Sequence, residues 1–399
     1  MRRRPARSPA RGPGRSGLFL LVAAVVLVDT MFFAAVAPLL PYYSDELDLS
    51  KTGAGVLTAA YPAGTFAGAL PGGWLAARWG TKPTLLTGLG LLGITSLAFA
   101  FAGNIVMLDA ARFVQGVGGA CMWAAGMTWL VSATPADRRG GVIGSALAAA
   151  IVGVLFGPVL GGAATVVGPE VVFSGVSVVA LGLATWAWRT PGVPPAPSPG
   201  LAAMLPALRR RDVLAGFWLF TLPALFAGVV EVLGPLRLAE LGASGAAIGA
   251  IFLVTAGVEA VVSPVAGRLS DRRGRLAPIR AGLAAAVVAA ILLPLPGFTL
   301  LLAAVICLGF ASLGAFWAPG MAFLSDASED AGLDLAVAFS ISNLAWAIGV
   351  MVGSGAGAAI ADATADAVPY AMLAALCAST LAGVISLDRS ARARSVAAP

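Results

Sequence analysis

The chain has 399 residues, of which 59% are hydrophobic and 11% charged, with a net charge of +6. Soluble domains carry about a quarter charged residues, so this chain lacks the polar residues to cover a soluble fold of its length and reads as an integral membrane protein. It contains no His, which excludes a Ser-His-Asp or Cys-His site, a His-ligated zinc and a His proton relay.

Mean hydropathy is +0.92. The apolar runs are long and the polar breaks short, which points to helices rather than a barrel whose strands alternate every second residue. About 20 apolar residues span a bilayer. Twelve such runs are predicted, at 17–40, 55–77, 83–103, 105–132, 141–165, 168–188, 213–236, 246–266, 278–296, 299–325, 336–361 and 367–386. Only Pro294, Pro296 and Gly297 separate the ninth from the tenth. Ala35-Val36-Ala37 resembles a signal-peptide cleavage site, but Pro38 follows it and eleven more spans come after, so the first run is read as a retained span.

Lys and Arg report which side each break faces. The tails and the even-numbered breaks hold 22 of the 25 basic residues; Lys51, Arg112 and Arg237 are the others. Both termini are therefore expected in the cytoplasm, and the Arg-rich tail needs no nucleic-acid partner to explain it. The expected organisation is a basic tail (1–16), a six-helix bundle (17–188), a cytoplasmic linker (189–212), a second six-helix bundle (213–386) and a tail (387–399). The linker opens Pro-rich and ends in LAAMLPALRRR, which suits a short amphipathic helix on the membrane surface.

The halves repeat. Gly73–Gly80 aligns with Gly267–Gly274 at an offset of 194, Trp123–Met127 with Trp317–Met321 at 194, and Gly153–Gly157 with Gly349–Gly353 at 196. Three matches in order indicate a duplicated six-helix unit. Secondary transporters are built from such repeats and bind substrate between them near the midplane.

Four motifs carry a resemblance. The break after helix 2 has Gly73, Arg78, Gly80 and Lys82, with Ala77 at a position the pattern gives to Asp. Its C-half copy has Gly267, Asp271, Arg272, Gly274 and Arg275. Helix 4 carries Arg112-Phe-Val-Gln115-Gly116-Val-Gly118-Gly119. Helix 5 carries Gly153-x3-Gly157-Pro158-x2-Gly161-Gly162. Three of its glycines, four apart, form one stripe on which a neighbouring helix can pack closely. Asp29 and Glu231 lie in helices 1 and 7, each followed by a Pro.

With these features the chain resembles the major facilitator superfamily from about residue 17 to 386, and most of all its twelve-helix drug:proton antiporters and vesicular amine transporters. The resemblance implies an all-α membrane protein of twelve transmembrane helices in two pseudo-symmetric bundles. It implies gating by the two loops, coupling through Arg112, and an antiporter signature in the helix 5 glycines. On packing grounds the helix 5 stripe is expected to let the halves close against each other. Asp109, one turn before Arg112, is expected to neutralise it.

An ionisable group inside the membrane costs at least about 2.5 kcal/mol and suggests function. Asp29, Glu231 and Glu259 lack an obvious local partner; Glu259 matches no position of the family. A carboxylate in a low-dielectric cavity can hold either a proton or a cationic substrate, and an exchanger needs that competition. Trp123, Trp129, Trp317 and Trp346 are candidates for an aromatic lining. No metal, nucleotide or other cofactor is implied, and no phosphate-binding loop is present.

The expected function is therefore proton-coupled export of small organic cations by a monomer in a bacterial plasma membrane. A proton symporter importing a metabolite is the alternative within transport, which the helix 5 pattern disfavours. A non-transporting receptor and a membrane enzyme are the alternatives outside it.

Overall fold

The computed structural model describes residues 13–135, 139–192, 209–274, 276–331 and 335–397. The expected surface helix in the linker and the loop residue Arg275 lie outside them. The described chain is helical. In chain order the helices are α1 (Pro13–Ala34), α2 (Lys51–Trp79), α3 (Thr81–Ala100), α4 (Ile105–Ser132), α5 (Arg139–Val167), α6 (Pro169–Arg189), α7 (Arg211–Glu240), α8 (Gly245–Arg273), α9 (Leu276–Leu292), α10 (Thr299–Asp330), α11 (Leu335–Ala363) and α12 (Ala367–Ala397). After α1 the chain makes a 3-10 turn at Ala37–Leu39, where Pro38 sits, and a short helix at Leu40–Glu46.

Ten of the described helices are long and apolar enough to cross a membrane by length and hydropathy. The two that fall short are α2, whose Gly, Pro and Thr content lowers its hydropathy, and α9, which has 17 residues and rises about 25 Å. Both nonetheless pack inside the bundles. The expected spans hold to within a few residues at most ends, but the first helix stops at Ala34 and the eighth runs on to Arg273. The tenth runs on to Asp330 and takes in Asp326, Glu329 and Asp330 from the stretch between the expected tenth and eleventh spans, the ninth stops at Leu292, and the tail after 386 continues as helix to Ala397.

The duplication is visible in packing. In the first half α1 packs on α5, α2 on α4, and α3 on both α4 and α6. In the second, α7 packs on α11, α8 on α10, and α9 on both α10 and α12. The halves meet through α2 against α11 and α5 against α8. Helix ends repeat as well. Ser50 and Ser244 occupy equivalent places in the two halves. Their hydroxyl oxygens accept the backbone N–H groups of Gly53 and Ala247 and so cap α2 and α8. Gly80 and Gly274 end the same two helices, the first with φ 95 and the second with φ 84 degrees. Side chains disfavour such a backbone. These two glycines of the expected gating loops thus stop the helices.

Lipid is as apolar as a Leu side chain, so helices in it are held by close packing rather than by the hydrophobic effect. The glycine stripe of α5 shows this directly. A Cβ on Gly153 would lie 2.1 Å from the Thr30 hydroxyl, one on Gly157 2.4 Å from Ala34 Cβ, and one on Gly161 2.0 Å from the Ala35 carbonyl oxygen. In the second half, Cβ atoms on Gly349 and Gly353 would meet the carbonyl oxygens of Thr221 and Leu225 on α7 at 2.5 and 2.2 Å. Each stripe therefore seats the fifth helix of its half on the first.

This corrects the expectation that the α5 stripe lets the halves close. Gly153, Gly157 and Gly161 face their own half. The neighbouring face, about 100° round the helix, carries Pro158 and Gly162 to the other half. There a Cβ on Gly249 of α8 would lie 2.6 Å from the Pro158 carbonyl oxygen and 3.2 Å from Gly162 Cα.

Gly161→Ala is expected to lower thermal stability in detergent, by about 1–3 kcal/mol for an overpacked contact. Gly73→Ala, where a Cβ would meet nothing within 4 Å, should leave it unchanged. Equal melting curves for the two variants would refute this packing of α5 on α1.

Candidate substrate and proton site

Arg112 lies two turns into α4, on the order of 10 Å from its start. It is 1% exposed. Its Nη1 donates to Gln115 Oε1 at 2.7 Å and its Nη2 to the Phe33 carbonyl at 3.3 Å. The guanidinium carbon lies 5.0 Å from the ring centre of Tyr61. It lies 5.7 Å from the ring centre of Phe32 and 5.9 Å from that of Phe33. All three rings are within cation–π range. Nε has no partner. The expected Asp109–Arg112 pair does not form. Arg112 turns inward to α1 and the aromatic rings, while Asp109 lies in a groove between α2 and α4 with Oδ1 buried and unpartnered.

Asp29 of α1 is fully buried. Its Oδ2 accepts from the Tyr61 hydroxyl at 2.9 Å and from Trp123 Nε1 at 3.2 Å, and Oδ1 has no partner. A Cβ at Gly119 would lie 2.7 Å from the Tyr61 oxygen and 3.1 Å from Asp29 Oδ1, so this glycine of the helix 4 motif makes room for the pair. Tyr61 is the hinge of the site, because its hydroxyl holds Asp29 and its ring faces Arg112.

Glu231 of α7 and Glu259 of α8 face Arg112 across the halves. The three line one cavity with Phe33, Thr58 and Pro158 from the first half and Phe252, Thr255 and Phe310 from the second. The structure thus brings Arg112, Glu231 and Glu259 into one space, with Asp29 adjoining it through Tyr61. Of the four tryptophans, Trp123 bonds Asp29. Trp346 of α11 packs on Phe33 with ring centres 5.2 Å apart. Trp129 is buried in the first half's core, and Trp317 packs on Phe220 at 6.0 Å; none of the four tryptophans is among the cavity-lining residues, whose rings are those of Phe33, Phe252 and Phe310.

The cavity is closed at the end away from the chain termini. Gly55 of α2 packs on α11, where its Cβ would lie 2.6 Å from the Ser354 carbonyl oxygen and 2.5 Å from Ala358 Cβ. This repeats the Gly249 contact, with Gly55 and Gly249 offset by 194 and Ser354 and Pro158 by 196. Beyond Gly55 a polar clasp forms. Lys51 Nζ lies 2.6 Å from Asp366 Oδ1, and Asp362 Oδ2 accepts from the Thr52 hydroxyl at 2.6 Å. The other contact, α5 on α8, has glycine and alanine (Gly245 and Ala246) at the equivalent positions. Toward the termini, Gly141, Gly144 and Gly267 have nothing within 4 Å of a built Cβ.

The gating-loop residues sit at that terminal end. Arg78 lies over the Trp74 ring at 5.8 Å, and Lys82 donates to the Trp188 carbonyl. Arg272 is exposed in the last turn of α8.

Sequence reasoning missed Tyr61, the cavity aromatics and the clasp. Lys51 carried a signal, since it was one of three basic residues off the expected side, and a cation in that place invites a carboxylate.

The sequence profile of the Major Facilitator Superfamily matches residues 22–238 and again 220–398. The chain belongs to the major facilitator superfamily. It is 31% identical over 153 residues to the MFS-type transporter ppzB of Metarhizium rileyi, a stretch covering 37% of this chain and 32% of that protein. It is 37% identical over 90 residues to the human synaptic vesicular amine transporter, covering 22% of this chain and 18% of that one. The matched stretches span about a third or less of these curated relatives. Among solved structures it is similar to a bacterial homolog of the human lysosomal transporter Spinster in an inward-facing, occupied conformation, at 15% identity, TM-score 0.74, with 96% of each chain covered. It is also similar to a D-xylose-proton symporter, at 15% identity, TM-score 0.72, with 92% of this chain and 97% of that one covered. At these identities the structural likeness shows the fold alone. The superfamily is one of multi-pass membrane transporters, not of enzymes.

The clasp is partly exposed, and exposed ion pairs contribute about 0.2–1 kcal/mol. Lys51→Met should therefore shift the balance of conformations by at most about fivefold toward the state open at the far end. Spin-label distances between the far ends of α2 and α11 would lengthen, and an unchanged distance distribution would show that the clasp does not hold the halves.

Proposed function

We propose that this transporter exports small organic cations in exchange for protons by alternating access. The observation that carries this reading is the cavity between the halves. Glu231 and Glu259 face a single Arg112 there, and Asp29 lies one side chain away. Acids outnumber the base, so the site suits a cation or protons over an anion. The rings of Phe33, Phe252 and Phe310, which line it, offer faces to a cation or an apolar substrate body. The identity with a vesicular amine transporter supports the same class.

Proton and cation compete for the same carboxylates. Asp29 and Glu231 are the first candidates for the exchange, with Glu259 beside them, and Arg112 keeps them from being isolated charges. Its hydrogen bond to the Phe33 carbonyl and its rings tie this balance to α1. The glycines and Pro158 of α5 serve the cycle in two ways: Gly153, Gly157 and Gly161 keep α5 fixed to α1, while Pro158 and Gly162 form the surface that parts from α8. The gating loops close the opposite end in the other half of the cycle.

With the tails in the cytoplasm, the state described is inward-facing. We assign the protein to a bacterial plasma membrane as a monomer. Single Cys residues at Ser198 and Ser395, in a Cys-free background, should resist an impermeant thiol reagent in intact cells. Labelling from outside would reverse the orientation and with it the direction of export.

In liposomes, an acidic lumen should drive uptake of a cationic amine substrate by exchange; uptake driven instead by an alkaline lumen would establish symport. Cation affinity in detergent should rise with pH, because removing the competing proton frees the carboxylate. Asp29→Asn and Glu231→Gln should each reduce gradient-driven flux at least tenfold, and the altered site should lose its part of the pH dependence. Wild-type flux and pH profile in both variants would make these acids structural.

A further inference from the structure

The repeat pairs residues of the two halves one by one, and the packing confirms the register. A Cβ on Gly153 or Gly157 would meet the carbonyl of Leu27 or Met31 on α1, and one on Gly349 or Gly353 that of Thr221 or Leu225 on α7. The same offset of 194 pairs Asp29 with Pro223, Tyr61 with Thr255, Gly119 with Leu313 and Trp123 with Trp317. Of these four pairs the tryptophan alone is kept. In the second half the Thr255 hydroxyl turns back to the Ile251 carbonyl of its own helix at 2.8 Å, and Leu313 is fully buried. Trp317 Nε1 is buried there with no acceptor among the described residues. In the first half an acid, a long hydroxyl side chain and a glycine stand at the other three places, and all three meet. A common frame thus carries, in one half only, a cradle for one carboxylate.

Tyr61 does more than hold the acid. It is 4% exposed, and its backbone is pinned, since a Cβ on Gly116 of α4 would lie 2.0 Å from its carbonyl oxygen. Its hydroxyl donates to Asp29 and its ring lies over the Arg112 guanidinium. The ring also meets Trp346 of α11 at 79°, with centres 6.5 Å apart, an edge-to-face arrangement. Phe33 lies against both, with its ring centre 5.0 Å from that of Tyr61. Since α11 belongs to the other half, one side chain touches both the buried acid and the contact between α2 and α11 that closes the far end.

Few ionisable groups face Asp29. Tyr61 comes from α2 and Arg112 from α4. The helix α5 carries charge only at Arg139, its first residue, and α6 only at Glu170 and Arg189, near its ends. Across the cavity, Glu231 and Glu259 face Arg112.

We propose that Tyr61 is a positioning residue that locks the α2–α11 contact while Asp29 is charged and releases it when Asp29 takes a proton. A hydroxyl bonds a carboxylate about twice as strongly as it bonds a neutral acceptor, so charge on Asp29 fixes the ring where Trp346 packs on it. A proton can shift a conformational balance only if it binds the two states differently, and the Tyr61 bond supplies that difference. The inference rests on the exchange proposed above and adds a lock to it. The empty, charged carrier does not reorient, so substrate does not leak across without a proton in return.

The test uses purified full-length protein without substrate, with spin labels at the far ends of α2 and α11, from mildly acidic to mildly basic pH. The ratio of closed to open far ends should fall about fivefold as Asp29 takes its proton. The part of the pH profile that Asp29→Asn removes measures the contribution of Asp29. Tyr61→Phe keeps the ring and should remove the same part, and the double variant should match Asp29→Asn alone. Trp346→Leu leaves the Asp29–Tyr61 bond in place and should remove that part as well, so it tests the link from the other half if Tyr61→Phe melts early. A wild-type profile in Tyr61→Phe or in Trp346→Leu would overturn the proposal, as would identical profiles for wild type and Asp29→Asn. Loss of gradient-driven flux in Asp29→Asn beside a wild-type profile in Tyr61→Phe would leave the exchange standing and remove the lock. Wild-type flux in Asp29→Asn would unseat the exchange at this acid and the lock with it.

Discussion

Close approach of backbone to backbone at glycine is the contact on which this bundle depends. In lipid, apolar surface gains little by leaving its surroundings for another helix, and backbone polar groups must be satisfied within the helix. What remains is dense packing, and it needs residues without a side chain where helices touch. The same device does two jobs. Gly153, Gly157 and Gly161, with Gly349 and Gly353, fasten helices within each half. Gly55 and Gly249 fit against the opposing half at Ser354 and Pro158. In the alternating-access cycle proposed above, the first set stays closed and the second comes apart.

The midplane charges depend on that packing. Arg112 has no carboxylate in direct contact. It rests on an amide oxygen, a backbone carbonyl and aromatic faces, and its counter-charges stand at one remove, through Tyr61 to Asp29 and across the cavity to Glu231. A tight buried pair would repay its desolvation once and resist being broken. The looser arrangement leaves the carboxylates free to change partners, as the proposed proton-for-cation exchange requires. Gly119 provides the space in which Asp29 and Tyr61 meet, so the packing motif and the charge cluster are one construction.

The fold was legible because membrane helices write themselves in hydropathy and the duplication writes itself twice. Offsets of 194 and 196, found from three short matches, recur as the paired Ser caps, the paired glycine stops and the paired contacts between halves. The acids were legible because a charge inside an apolar run is conspicuous. Tyr61 was not, since a Tyr in a helix rich in Gly, Ala and Thr looks like packing until Asp29 is seen beside it. The face of the α5 stripe was also hidden. Periodicity shows that three glycines share a face but not which neighbour that face meets, and α1 and α8 lie about 100° apart around the helix. Asp109 misled for a related reason. Spacing placed it within reach of Arg112, but the long side chain turns instead to Gln115 on its own helix, the Phe33 carbonyl on α1 and the Tyr61 ring on α2.

The clasp of Lys51 with Asp366 and of Thr52 with Asp362 sits on one of two otherwise equivalent contacts, at the edge of the bilayer where water and ions reach it. Its contribution falls as ionic strength rises, because the screening length is about 10 Å at 0.1 M salt and about 3 Å at 1 M. The contact of α5 with α8 is built from glycine and carbonyl and does not respond to salt in this way. Medium salinity on one face of the membrane therefore acts on one contact alone and biases resting conformations without touching the central cavity. A cell moving between dilute and saline surroundings would carry a transporter whose resting state moves with it.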